Sequence, residues 1–386
     1  MITALALVAL LGAQNAPVRA FAAAPMYLPR SAEITVDHQT VRMPLRVTLG
    51  GHDLRVTLSN AHGRDPATIA RASMIVGGKI YPLTFAGREA VEIPVGGPVL
   101  SDPVPVHVAA EEVVELNLYI DRPTVLAAIH RDPKNPATVS TAGDFTATAD
   151  ILAASTTVMR PYLAAVDVIP DKPAKTIVAL GDSISDWDCG YDEAQPCMWE
   201  AELARRLAKA GKSYAITNAA ISADRILVDG PNGAAPWNAI SALARFDRDV
   251  LSVPNAAYVV MMMGVNDIGL SRQNDAPVVS SDAMIAGLKQ LILRAHEHGL
   301  KIYAAPILPF TGAGYYTPEK EAVRVAVNDW IKTSGAFDGV IDFAGAVADP
   351  ADPVRLAAKF DNGDHLHPNA AGQRAMGDAI DLGLFK

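Results

Sequence analysis

The chain has 386 residues, 50% of them hydrophobic, with 42 acidic against 33 basic side chains and a formal net charge of −9. That length and apolar fraction exclude a disordered chain and allow two domains, each with its own core. The acidic balance, with no Lys/Arg cluster behind it, excludes a nucleic-acid partner, which would need a basic face.

Residues 1–24 read as a secretory signal peptide: 5–11 is an apolar core, and small residues follow, with Ala20-Phe21-Ala22 as the cleavage region. A basic segment before the apolar core is missing. The stretch is too short to span a bilayer, and no later run reaches about 18 apolar residues. The expectation is therefore an exported protein, secreted or periplasmic, with no stable membrane insertion. The chain has two cysteines, Cys189 and Cys197. In an oxidising compartment they are expected to close a small loop as a disulfide, and no CxxC pair or nearby histidine makes them a metal site.

Residues 29–165 carry a β pattern. Val41, Met43, Leu45, Val47 and Leu49 alternate with their neighbours, Gly50-Gly51 follows, and Leu54, Val56 and Leu58 alternate again. This predicts a hairpin with a two-residue glycine turn. Val114, Leu116, Leu118 and Ile120 repeat the period of two, and an antiparallel β-sandwich domain fits the region. His52, His62, His107 and His130 are scattered through it and read as surface or capped histidines. Residues 166–175, with Pro170 and Pro173, read as the linker.

From 176 to 386 the period changes. A strand at 177–180 precedes a helix with Trp199, Leu203 and Leu207 on one face, stopped by Gly211. A strand at 214–218, a helix through 239–246 and a buried strand at 258–263 come next, the methionines of the last being core filler. A helix at 283–297 carries Leu288, Leu291, Ile292 and Ala295 at helical spacing. A strand at 301–307, a helix at 319–332, a strand at 340–343 and a helix at 370–380 complete the series. Strands alternating with helices predict a parallel, doubly wound α/β sheet, in which ligands sit beyond the carboxyl ends of the strands.

Four stretches fall at that edge: Gly181-Asp182-Ser183; Asn218-Ala219-Ala220-Ile221-Ser222-Ala223; Gly264-Val265-Asn266-Asp267; and Asp364-His365-Leu366-His367-Pro368-Asn369. Ester hydrolysis needs a hydroxyl activated by a base, an acid that holds the base in one tautomer, and donors for the developing oxyanion. Asp364 and His367, three apart before a helix, supply acid and base for Ser183. His365 is the competing base, with the wrong spacing to Asp364. The amide of Asn266 and the backbone N–H groups of Ser183 and Ala223 complete the oxyanion site. Asp361, Asp364, His365 and His367 also form an acid–imidazole cluster, but without a second ligand cluster no metal is expected. There is no phosphate-cradling glycine loop, and no cofactor is expected.

At these four stretches the chain resembles the SGNH, or GDSL, hydrolase superfamily over residues 176–386. The resemblance implies a flavodoxin-like three-layer α/β/α hydrolase domain and a metal-free serine mechanism carried by Ser183, Asn266, Asp364 and His367. The stretches Arg245-Phe246-Asp247-Arg248-Asp249, Asn266-Asp267-Ile268-Gly269 and Ser334-Gly335-Ala336-Phe337-Asp338-Gly339-Val340-Ile341-Asp342 are similar to secreted bacterial esterases related to acetyl-xylan esterases. That finer resemblance implies removal of short acyl groups, acetyl above all, from a plant-type polysaccharide such as xylan. A broad short-chain carboxylesterase or lipase is the nearest alternative, and a catalytically inactive carbohydrate-binding protein is the alternative of another class. Trp187, Trp237, Tyr315 and Tyr316 lie in loops where they either stack on sugar rings or pack on neighbours. One departure stands out. Ala220 and Ala223 occupy positions where the family tends to have glycine, and a positive φ at Ala223 would be strained. The oligomeric state is open.

Overall fold

The computed structural model describes residues 15–27, 33–126, 128–186, 197–230, 240–271 and 278–386. In the N-terminal region the period-two segments become strands Gln39–Arg46 and Val113–Ile120, antiparallel over their full length, with Met43 opposite Leu116 and Val41 opposite Leu118. All four side chains are fully buried, as alternation with one buried face requires. The two strands lie at the centre of a six-stranded antiparallel sheet in the order Ala153–Thr157, Ala137–Ala142, Gln39–Arg46, Val113–Ile120, Arg71–Val76, Lys79–Leu83. A second antiparallel sheet runs Val18–Ala22, Leu163–Ile169, His52–Ser59, Pro98–Leu100. Val18, Val56, Leu58 and Val166 from the second share one core with Met43, Leu45 and Leu116 from the first.

Three expectations change here. Gln39–Arg46 and His52–Ser59 do not form a hairpin; they belong to different sheets, and Gly50-Gly51 carries the chain between them. The glycines serve close backbone approach, since a Cβ would lie 2.7 Å from Val108 O at Gly50 and 2.3 Å from Ile169 O at Gly51. Val18–Ala22 is a strand paired with Leu163–Ile169, and Val18 and Ala20 are fully buried. Cleavage at Ala22 or Ala24 would therefore remove a strand from a filled core, whereas residues 1–14 lie outside the described residues. The connection also shortens, because 166–169 belongs to a strand and Ala174 to the N-terminal core.

The C-terminal region forms a five-stranded parallel sheet in the order Tyr214–Asn218, Lys175–Gly181, Ala256–Met262, Lys301–Ala304, Gly339–Val340. Its first strand in sequence lies between the second and the third. The winding direction reverses at that point, where an open sheet forms its ligand crevice. The helix Trp199–Lys209 buries Trp199, Leu203 and Leu207 and touches Ala370–Ala379, while Ser281–Glu297 packs on Pro318–Thr333. The strand expected at 340–343 stops at Val340, because the Asp342 carboxylate accepts the Gly345 N–H at 3.0 Å and starts the helix Phe343–Val347.

The two regions meet along the edge strand Tyr214–Asn218. The hydroxyl of Thr48 accepts the N–H of Ile216 at 3.1 Å and donates to its carbonyl at 2.8 Å, so the N-terminal region covers the sheet edge. Among the described residues no helix is long and apolar enough to cross a membrane.

Candidate active site

The strand Lys175–Gly181, buried from Thr176 onward, delivers Asp182 and Ser183 to the carboxyl edge of the sheet. Gly181 is required there by space: a Cβ would lie 2.7 Å from Ser185 Cβ and 2.8 Å from Ser185 Oγ. The turn closes with Ser185 N–H on Asp182 O at 2.9 Å and Ile184 N–H on the Asp182 carboxylate at 3.0 Å. Across the edge, Asn369 caps the helix Ala370–Ala379 by accepting from the N–H groups of Ala371 and Gly372. Gln373 on that helix donates to Ile184 O at 2.8 Å, so the last helix is fastened to the serine turn. These two anchors bring Ser183 Oγ to 2.7 Å from His367 Nε2. His367 Nδ1 lies 2.6 Å from Asp364 Oδ2, and Asp364 Oδ1 accepts the His367 and Leu366 N–H groups at 2.8 and 3.0 Å. Burial works against the Asp364 carboxylate, but the backbone and ring hydrogen bonds from His367 outweigh it and hold its pKa below the usual carboxylate value. His365 is committed elsewhere, its Nδ1 2.6 Å from Asp361 Oδ2. Geometry therefore pairs Ser183 with His367.

The second stretch is a turn in which Asp224 N–H reaches Ile221 O at 3.1 Å, with Ala223 at φ +62°. Asn266, on the short helix Val265–Gly269, is buried and donates its amide to Asp224 O at 3.1 Å, which ties it to the residue after Ala223. Asp267 beside it accepts the N–H groups of Ile226 and Leu227 at 2.8 and 3.0 Å. Under this edge lie three buried carboxyls. Burial, reinforced by their mutual repulsion, pushes Asp182 up to about 7. Burial likewise pushes Asp224 up to about 7 against the pull of Arg245, and Asp267 up to about 6 against its two backbone donors. Beside Ser183 and His367, which both line it, opens a cleft of about 180 Å³ whose lining also includes Met198, Asn362 and Lys134, the last contributed by the N-terminal region.

Residues 179–375, just over half of the chain and spanning every one of these side chains except Lys134, match the GDSL-like lipase/acylhydrolase family. The chain belongs to that family. As a GDSL-family member it is an esterase or acylhydrolase. No curated protein matches the chain. Among solved structures it is similar to a G-D-S-L family lipolytic protein from Desulfitobacterium hafniense (18% identity, 53% of this chain and 97% of that one, TM-score 0.38). It is also similar to a psychrotrophic esterase from Pseudoalteromonas sp. (20%, 53% and 93%, 0.38). A third is a mutant of an acetyl-xylooligosaccharide esterase from Geobacillus (20%, 53% and 91%, 0.39).

Several residues of this GDSL-family site escape motif reading. Arg245 is fully buried and joins Gly181 O, Ala219 O, Asp224 and Asp249; the stretch 245–249 carries a resemblance, but nothing in it shows that its first arginine is buried under the serine turn. Of the two alternatives, surface or capped, His130 and His62 take the second, with ring nitrogens 2.9 Å from Ala24 O and 3.2 Å from Pro25 O. His130 contacts Asp186, three residues after Ser183, at 3.0 Å. His62 lies 3.1 Å from Arg248 Nη1, and burial together with that cation pulls its pKa down to about 4. Tyr315 and Tyr316 pack on Phe310, with ring centres 5.9 and 5.7 Å away. Trp187, Trp237 and Cys189 lie outside the described residues, while Cys197 lines the cleft.

Ala223 adopts the left-handed conformation, φ +62°, that favours glycine. That conformation costs an alanine about 1–2 kcal/mol, whereas glycine returns about 0.4–1 kcal/mol through the entropy of the unfolded chain. Ala223→Gly is therefore expected to stabilise the protein by about 0.5–1 kcal/mol and to leave kcat within about twofold, since the N–H is kept. A urea titration reads the first as a higher midpoint at unchanged slope. A lower midpoint would contradict the strain argument.

Proposed function

We propose that the chain is a serine esterase in which Ser183 is the nucleophile, His367 the general base and Asp364 its orienting acid. The contact of 2.7 Å between Ser183 Oγ and His367 Nε2, continued by 2.6 Å from His367 Nδ1 to Asp364 Oδ2, carries this reading. Ser183 attacks the acyl carbonyl while His367 takes its proton and returns it to the leaving alcohol. The N–H groups of Ser183 and Ala223 and the Asn266 amide receive the oxyanion, and water then releases the acyl group from Ser183.

The acyl group is short, acetyl above all. In support, the cleft of about 180 Å³ falls below the roughly 300–1,000 Å³ of pockets that enclose larger ligands. The alcohol is a carbohydrate, a reading supported by the sequence stretches that resemble acetyl-xylan esterases. A flavodoxin-like three-layer arrangement of the C-terminal region, a sandwich in the N-terminal region, export from the cell and a Cys189–Cys197 disulfide belong to the same proposal. The test measures acetate released from acetylated xylan beside hydrolysis of nitrophenyl esters of increasing chain length. The expected profile favours acetate and falls by at least about tenfold by the eight-carbon ester, a misfit of about 1.4 kcal/mol or more. A profile that rises with chain length would replace the polysaccharide reading with a lipase or broad carboxylesterase.

A further inference from the structure

Besides Lys134, the N-terminal region reaches the site through His130. His130, on the strand Ala128–Arg131, is 12% exposed and Asp186 is 5% exposed. The His130 ring stands between two acceptors, with Nδ1 2.9 Å from Ala24 O and Nε2 3.0 Å from Asp186 Oδ1. Nδ1 is in hydrogen-bond contact with the Ala24 carbonyl, and Nε2 faces the Asp186 carboxyl at ion-pair distance, surroundings that favour the charged ring. The other oxygen of Asp186 is also engaged, Oδ2 accepting from Ser222 N–H at 2.6 Å and from the Ser222 hydroxyl at 2.5 Å. Ser222 directly precedes Ala223, and Asp186 follows Ser183 by three residues. One carboxylate therefore spans the serine turn and the Ala223 turn, and the cation that fixes it comes from the other region of the chain.

We propose that His130 is a positioning residue for ester hydrolysis, setting through Asp186 and Ser222 the place of the Ala223 N–H relative to Ser183. The proposal rests on the serine-esterase reading above. Without the His130 ring, Asp186 keeps two donors on Oδ2 and loses the partner at ion-pair distance from Oδ1, and it will shift or draw in water. The Ser222–Ala223 backbone moves with it, and displacements of about 1 Å at a site of this kind cost up to about 100-fold in rate. The charged groups around the ring fit this role. Arg160, its cross-strand neighbour, is ion-paired with Asp132, and Arg131 on the same strand feels Asp186. Burial and Arg160 pull the imidazole pKa down, but Asp186 and the Ala24 carbonyl outweigh them and raise it. The interaction is with the transition state, because the substrate's ground-state carbonyl demands less of the Ala223 N–H than the oxyanion does. The effect therefore falls on kcat.

The test compares wild type, His130→Ala, His130→Gln and Asp186→Asn in the full chain with nitrophenyl acetate, kcat being normalised to active sites titrated with a fluorophosphonate. Normalisation removes any effect of a variant that merely folds less well. His130→Ala is expected to lower kcat about 10–100-fold with KM within about twofold. Glutamine places an amide nitrogen near the Nε2 position, where it can donate to Asp186 but brings no charge, so His130→Gln recovers only part of the loss, to within about tenfold of wild type. Asp186→Asn, which loses the charge that His130 and Ser222 share, falls with the alanine variant. A normalised kcat for His130→Ala within twofold of wild type overturns the proposal, as does an equal loss in the alanine and glutamine variants. Failure of the underlying reading is visible separately, as a wild-type protein that turns over ester but is not titrated on Ser183.

Discussion

Replacing Ser183 by alanine is expected to lower kcat on a small acetate ester by roughly 10⁴–10⁶-fold, with the fold intact. The size follows from what the hydroxyl does on the proposed reading. It is the atom that forms the covalent bond, and the 2.7 Å contact to His367 Nε2 is the route by which it loses its proton. His367→Ala should fall by a similar factor, and the double variant by little more, because either loss stops the same step. Asp364→Ala should fall less, since Asp364 touches neither the substrate nor Ser183 and its side chain is 47% exposed, so water can partly replace it as the ring's partner. Stability should change little, because the Ser183 hydroxyl is only half-buried and fills no core position. Initial rates of purified variants, with thermal melts run alongside, check both halves. Residual turnover in Ser183→Ala above about 1% of wild type would move the chemistry to another group, because a triad serine leaves far less behind.

What the sequence makes legible here is local, and what it hides is long-range. The strand, glycine, acid and serine of 177–183 can be read because hydrophobic period and turn chemistry both act over a few residues. The same holds for Trp199, Leu203 and Leu207, whose spacing alone puts them on one buried helical face. Ser183 and His367, 184 positions apart, are linked by reasoning only because their chemistry is complementary. No such cue exists for His130 and Asp186, since a histidine in a β segment looks the same whether it faces solvent or a carboxylate 56 residues on. Gly50-Gly51 misleads for a different reason: two glycines permit a tight turn but equally permit the backbone approach to Val108 and Ile169 that the fold uses. The alanines of Val18–Ala22 suit a protease's cleavage preference and an edge strand's packing alike, and the pairing with Leu163–Ile169 is visible only in the fold. Arg245 is the extreme case. Its burial is a property of four acceptors gathered from Gly181, Ala219, Asp224 and Asp249, none of them near it on a single local pattern except Asp249.

Arg245→Ala is accordingly expected to be the most destabilising single change at the site, by about 3–5 kcal/mol, because it strands buried charge. The guanidinium is 0% exposed. It lies 2.6 Å from Asp224 and 3.1 Å from Asp249, and it also satisfies the carbonyls that end the first two strands of the parallel sheet. Lysine would restore a charge but not the fork that reaches four acceptors at once, so Arg245→Lys should recover less than half of the loss. The pH dependence has a definite sign. In the wild type Asp182, Asp224 and Asp267 are raised to about 7, 7 and 6, above the unfolded value of about 3.9. Between about pH 4 and 7 the folded chain thus binds more protons at these groups than the unfolded chain, and their contribution to stability declines as pH rises through that window. Asp249 runs the other way. Burial opposes its charged form, but Arg248 and Arg245 hold its pKa below the usual value. Removing Arg245 pushes both Asp224 and Asp249 upward, so the variant gains more than the wild type from each proton added as the pH falls. Denaturant melts of the two proteins at pH 8 and pH 5.5 should therefore show the gap between them narrowing at the lower pH. A gap that is constant or wider there would mean that Arg245 acts through packing alone, and that the carboxyls beneath the serine turn are not what it holds in place.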